Sequence, residues 1–198
     1  RLSILPGKWQ FDDGKTNLTI RGDGFGDLAI RKNGKMQTVL SGMEVIVSGL
    51  WPTKSDFRSS LALEETSKQV QKLPDGTLII RMAALPRKTM RSGFWGLDRI
   101  VDYLAEYRFK PDGSAEFLLG IRPNASEYSD HFNVRFDYGV NGGNLLHPFP
   151  GQPAAADGKQ SADLFSGPVP PEQIGKWKFF GFTLGTPIRQ IPDQPKNL

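Results

Sequence analysis

Asn33-Gly34 falls between two stretches in which apolar and polar residues alternate, Leu28–Lys32 and Lys35–Leu40. Two adjacent residues that tolerate φ > 0, set between alternating runs, specify a two-residue turn whose twist matches that of paired strands. The chain is therefore expected to fold back on itself here as an antiparallel hairpin. Lys110-Pro111-Asp112-Gly113 sends a second such signal between Val101–Phe109 and Phe117–Ile121. Leu97, Ile100, Val101 and Leu104 would also fit a helix. The run feeds directly into the turn without a helix stop signal, which favours a strand.

The same period of two recurs along the chain. Trp9 and Phe11, Leu18 and Ile20, Met43, Val45 and Val47, Leu61 and Leu63, and Leu78, Ile80 and Met82 each form an apolar face. So do Phe132, Val134, Phe136, Tyr138 and Val140, and a further strand is expected at Lys176–Leu184 with Trp177, Phe179, Phe180 and Phe182. Glu64–Lys72 fits a short helix or a continued strand. The 22 glycines and 15 prolines supply breaks between these runs. About eight to ten strands at this spacing, with no helix long enough for a parallel crossover, indicate an all-β, mainly antiparallel barrel or sandwich.

A chain of 198 residues suits one domain. Residues 1–140 are expected to form the antiparallel core, 141–175 a Pro/Gly-rich loop or arm, and 176–198 the final strand and an extended tail of the same domain. A segment with so few large apolar side chains does not order itself. It must lie against its own domain or a partner chain. Trp9, Val101, Tyr103, Phe117, Leu119, Val134 and Phe136 are the expected core.

Cysteine is absent, which excludes disulfides, thiolate metal sites and a Cys nucleophile. A thiol-free chain fits the periplasm or secretion, with an organellar lumen as the alternative. Arg1 in place of an initiating Met leaves open whether a leader or lipid anchor preceded it. The net charge of +4 comes from scattered side chains. Without a basic face no nucleic-acid partner is expected. No apolar run reaches the roughly 18 residues of a membrane span, while peripheral contact with lipid headgroups stays open.

Catalytic signals are sparse. The two histidines, His131 and His147, lack metal-pair spacing, so no metal and no cofactor is expected. There is no Gly-x-Ser-x-Gly elbow and no phosphate loop, and Gly22–Gly26 reads as a β turn. Asp102, Glu106, Glu116 and Asp137 could pair as glycosidase carboxylates. Alternation reads all four as outward, solvated positions.

Gly7-Lys8-Trp9 at the first strand resembles the Gly-x-Trp of lipocalins and wider calycin barrels. The resemblance implies a carrier that holds a small apolar or anionic ligand inside a barrel. It also implies an arginine near the last strand packed on Trp9, for which Arg189 and Arg122 are available. Gly175-Lys176-Trp177 repeats the triplet, which hints that first and last strands pair. The chain departs from the family in lacking a Thr-Asp-Tyr-like turn and the disulfide.

Two segments read as loops share one composition: Trp51, Lys54, Phe57 and Arg58 in 51–58, and Arg87, Lys88, Arg91, Phe94 and Trp95 in 85–99. Aromatic residues beside Arg and Lys are enriched at partner contacts. The leading expectation is a non-enzymatic domain that binds a protein partner through these two segments at one end of the fold. A small-ligand carrier and a carboxylate-based carbohydrate-active enzyme are the alternatives.

Overall fold

Both turns close the hairpins expected of them. Asn33 and Gly34 take φ of 52° and 77°, the pair of left-handed conformations that a tight hairpin turn requires. Phe109 pairs with Ala115 across the second turn. The computed structural model describes residues 2–5, 8–21, 24–48, 56–59, 67–84, 101–112, 114–123, 133–142, 156–166, 169–183 and 188–191.

Fourteen strands lie among the described residues. They are β1 (Leu2–Leu5), β2 (Lys8–Asp12), β3 (Thr16–Arg21), β4 (Gly26–Lys32), β5 (Lys35–Ser48), β6 (Phe57–Arg58) and β7 (Ser67–Lys72). There follow β8 (Leu78–Ala84), β9 (Val101–Phe109), β10 (Ala115–Pro123), β11 (Asn133–Val140), β12 (Gly158–Ser166), β13 (Lys178–Thr183) and β14 (Arg189–Ile191). The first sheet has eight strands in the order β1-β2-β3-β4-β5-β11-β12, with β6 on β5. The second has six, ordered β14-β13-β10-β9-β8-β7. All pairings are antiparallel.

The sheets do not close into a barrel, so the sandwich form of the expected all-β fold applies. The first and last expected strands do not pair: β2 is bonded to β1 and β3 in one sheet, and β13 to β10 and β14 in the other. Residues 101–109 and 67–72, both open between helix and strand on periodicity alone, are strands. Two further expectations are corrected. Gly158–Ser166, within the expected arm, is a nine-residue edge strand of the first sheet. Phe57–Arg58, within an expected loop, pairs with Ile46 and Val47 of β5. Among the described residues no helix is long and apolar enough to cross a membrane.

Rings from the two sheets meet between them. Phe11 stacks on Phe109 at 4.9 Å, Phe25 on Tyr103 at 5.2 Å, Phe136 on Phe117 at 5.6 Å and Tyr138 on Phe182 at 5.5 Å. The Tyr107 hydroxyl donates to the Gly24 carbonyl at 3.0 Å, a bond that ties β9 to the other sheet. Of the expected core only Trp9 is half-buried, packed at the core's margin; the rest are buried. Burial raises the Tyr138 pKa, partly countered by its hydrogen bond with the Ile188 backbone. Among the described residues, buried apolar side chains of both sheets form one core cluster.

Aspartates pin three turns. Asp12 accepts from Gly14 N at 2.7 Å, Asp75 from Thr77 N at 2.8 Å, and Asp112 from the Ser114 hydroxyl and backbone N at 2.6 and 2.8 Å. These bonds favour the ionised form and hold each carboxyl below its ordinary value of 3.8. Each therefore binds its proton less tightly folded than unfolded. The stability it contributes is complete above the ordinary value and is lost as pH falls through the lowered folded value. The unfolding midpoint should fall as pH drops below about 4, and Asp112→Asn should flatten that decline. A wild-type profile flat from roughly pH 5 to 2 would contradict this assignment.

Candidate functional site

Two acids on the outward face of the second sheet are not solvated as alternation implies. Register sets the rows of that face. Arg81 lies opposite Glu106, which lies opposite Leu118, Gly181 and then Arg189 on successive strands. The adjacent row runs Ile79, Arg108, Glu116, Thr183. Glu106 is fully buried and Asp102 is 6% exposed, which corrects their reading as solvated positions. A lone buried carboxylate is costly, so each must be paired.

They are paired by strand neighbours. Arg81 Nε donates to Glu106 Oε2 at 2.7 Å, and Arg108 Nε to Oε1 at 2.5 Å. Arg122 donates to Asp102 through Nε at 2.9 Å and through Nη2. The Arg122 guanidinium also lies over the Trp177 ring, 4.9 Å from its centroid. That ring covers Gly120, where a Cβ would come within 3.1 Å of it. Lys110 Nζ holds Glu116 Oε1 at 2.5 Å, and Arg135 Nε holds Asp137 at 2.9 Å. All four carboxylates weighed for glycosidase chemistry are thus engaged by cations. Both oxygens of Glu106 are engaged by arginine.

Beside these pairs, on the same face, a groove of about 400 Å³ runs between β10, β13 and β14. Gly181 in its lining lets Ile191 pack close: a Cβ there would lie 2.5 Å from Ile191 Cδ1. Leu118 and Ile191 supply apolar lining, Thr183 and Gln190 polar lining, and Arg108, Glu116 and Arg189 the charges. Arg189 is exposed, and no ion pair among the described residues engages it. Among the described residues no cluster of three His, Cys, Asp or Glu side chains could hold a metal.

Of the residues expected to form the contact, Trp51, Lys54, Arg87, Lys88, Arg91, Phe94 and Trp95 lie outside the described residues, as do His131 and His147. Phe57 and Arg58 sit in β6 of the first sheet, where Arg58 Nη1 donates to Glu44 Oε1 at 2.7 Å. Arg58 does not line the groove. The arginine sought for Trp9 is elsewhere: Arg122 stacks on Trp177, Arg189 lines the groove, and Lys68 Nζ sits 4.7 Å over the Trp9 ring. Lys178 lies 4.2 Å over Phe165 of the facing sheet, and its burial lowers its pKa.

The groove itself was not anticipated by the pattern of residues. One signal pointed to it: Gly181 interrupts Phe179-Phe180-Gly181-Phe182, and a glycine inside an aromatic strand marks a close approach. No protein-family model, no curated protein and no solved structure matches the chain.

Proposed function

We propose that the protein is a non-enzymatic binding domain that engages a protein partner through the outer face of its second sheet. The groove beside the exposed Arg189 supports this reading most directly. The apolar core cluster that described side chains of both sheets form between them favours an outer contact over a ligand held inside. Carboxylates already engaged by arginine or lysine favour binding over acid–base chemistry. A chain without thiols suits such a role outside the reducing cytoplasm.

Capture from the native source, with tagged wild type beside Arg189→Glu and Trp95→Ala, tests the reading. Wild type should retain a stoichiometric partner. Arg189→Glu should lose it, because the reversed charge opposes the same contact, while melting stays within about a degree of wild type. Retention by Arg189→Glu with loss by Trp95→Ala would move the contact to the aromatic-basic segment and overturn the groove.

A further inference from the structure

We infer that the groove receives an acidic side chain of the partner, flanked there by an aliphatic residue. The inference rests on the reading of the outer face as the contact surface and names what that surface recognises.

Charge sets the first requirement. Lys110 already holds Glu116, and two arginines already hold Glu106. Arg189 brings to the groove a guanidinium that none of these acids neutralises. A guanidinium presents a planar fork of donors that matches a carboxylate in a bidentate pair. Glu116 stands in the same lining. It disfavours a doubly charged phosphate more than a singly charged carboxylate.

Shape sets the second. Gly181 stands between Leu118 and Arg189 in one row, and Ile191 packs into the space that a side chain there would take, beside the groove. Leu118 and Ile191 give the groove apolar walls, which a fully hydrated anion would leave unused. A carboxylate carried beside an aliphatic group satisfies Arg189 and fills the groove together. Among the described residues β14 stands at the edge of its sheet, where an extended chain can be added.

Calorimetric titration of the intact protein tests this with two blocked peptides, acetyl-Leu-Glu-Leu-Glu-Leu-amide and its Gln counterpart. The Glu peptide should bind about tenfold tighter or more than the Gln peptide. Arg189→Gln should erase that difference while leaving the unfolding curve unchanged. Equal affinity for the two peptides overturns the inference, as does a Glu preference that survives Arg189→Gln. Hexanoate binding as tightly as the Glu peptide would assign the groove to a free acid and overturn the protein source. Inorganic phosphate displacing the Glu peptide at lower concentration than hexanoate would overturn the carboxylate preference. Loss of partner capture by Arg189→Glu alongside equal peptide affinities would leave the contact surface standing and remove only its carboxylate chemistry. An Arg189-dependent Glu preference beside unaffected capture would do the reverse.

Discussion

Truncating Phe136 to alanine should lower the free energy of unfolding by about 3–5 kcal/mol. Its ring is fully buried on β11, stacked on Phe117 at 5.6 Å and Tyr138 at 5.5 Å and tilted against Phe25 at 5.7 Å. Those neighbours come from both sheets. Each is held by its own strand ladder or turn, so the space left behind cannot collapse cheaply. For a chain of this size the midpoint should drop by roughly 10 °C, measured by thermal or urea unfolding. A variant that melts within about a degree of wild type would show that Phe136 does not face the second sheet.

Replacing Arg81 by leucine should cost about 3 kcal/mol, although its side chain is 19% exposed. The cost lies with Glu106, which is fully buried and would keep only Arg108. Adding Glu106→Leu should recover most of the loss, since the remaining Arg108 side chain is 36% exposed and can turn to water. Urea unfolding of the single and double variants gives the cycle. Wild-type stability in Arg81→Leu, or a double variant worse than the single one, would show that burial of Glu106 does not depend on this pair.

Period-two alternation made most of the strands legible, because a strand with one face on the core writes that face into every second residue. Phe25 was hidden. It stands alone between Gly24 and Gly26, and one aromatic among glycines reads as a turn. Yet it is fully buried against Tyr103 and Phe136. The strand β12 was hidden too: Gly-Lys-Gln-Ser-Ala-Asp-Leu-Phe-Ser keeps its apolar residues at one end, and the edge it completes is defined by β11. Asp102 and Glu106 sit at outward positions that alternation reads correctly as outward. Their burial depends on arginines 20 and 25 residues away, brought alongside by register. The groove depends on register in the same way. It joins one residue of β9 to three neighbouring strands, and only Gly181 carries a local trace of it.

The pairing of β5 with β11 sets a waiting time in the life of the chain. Ser48 bonds across to Asn133, so roughly 85 residues must leave the ribosome before β5 gains that neighbour. At about 5–20 residues per second, the interval is roughly 4–17 seconds. Meanwhile the nascent β1–β5 meander carries the apolar residues Met43, Val45, Ile46 and Val47 on an open edge. Such an edge can recruit the same strand of a neighbouring nascent chain. Yield during synthesis will therefore depend on how fast residues 49–132 are made, and slow translation of that stretch lengthens the exposure of β5.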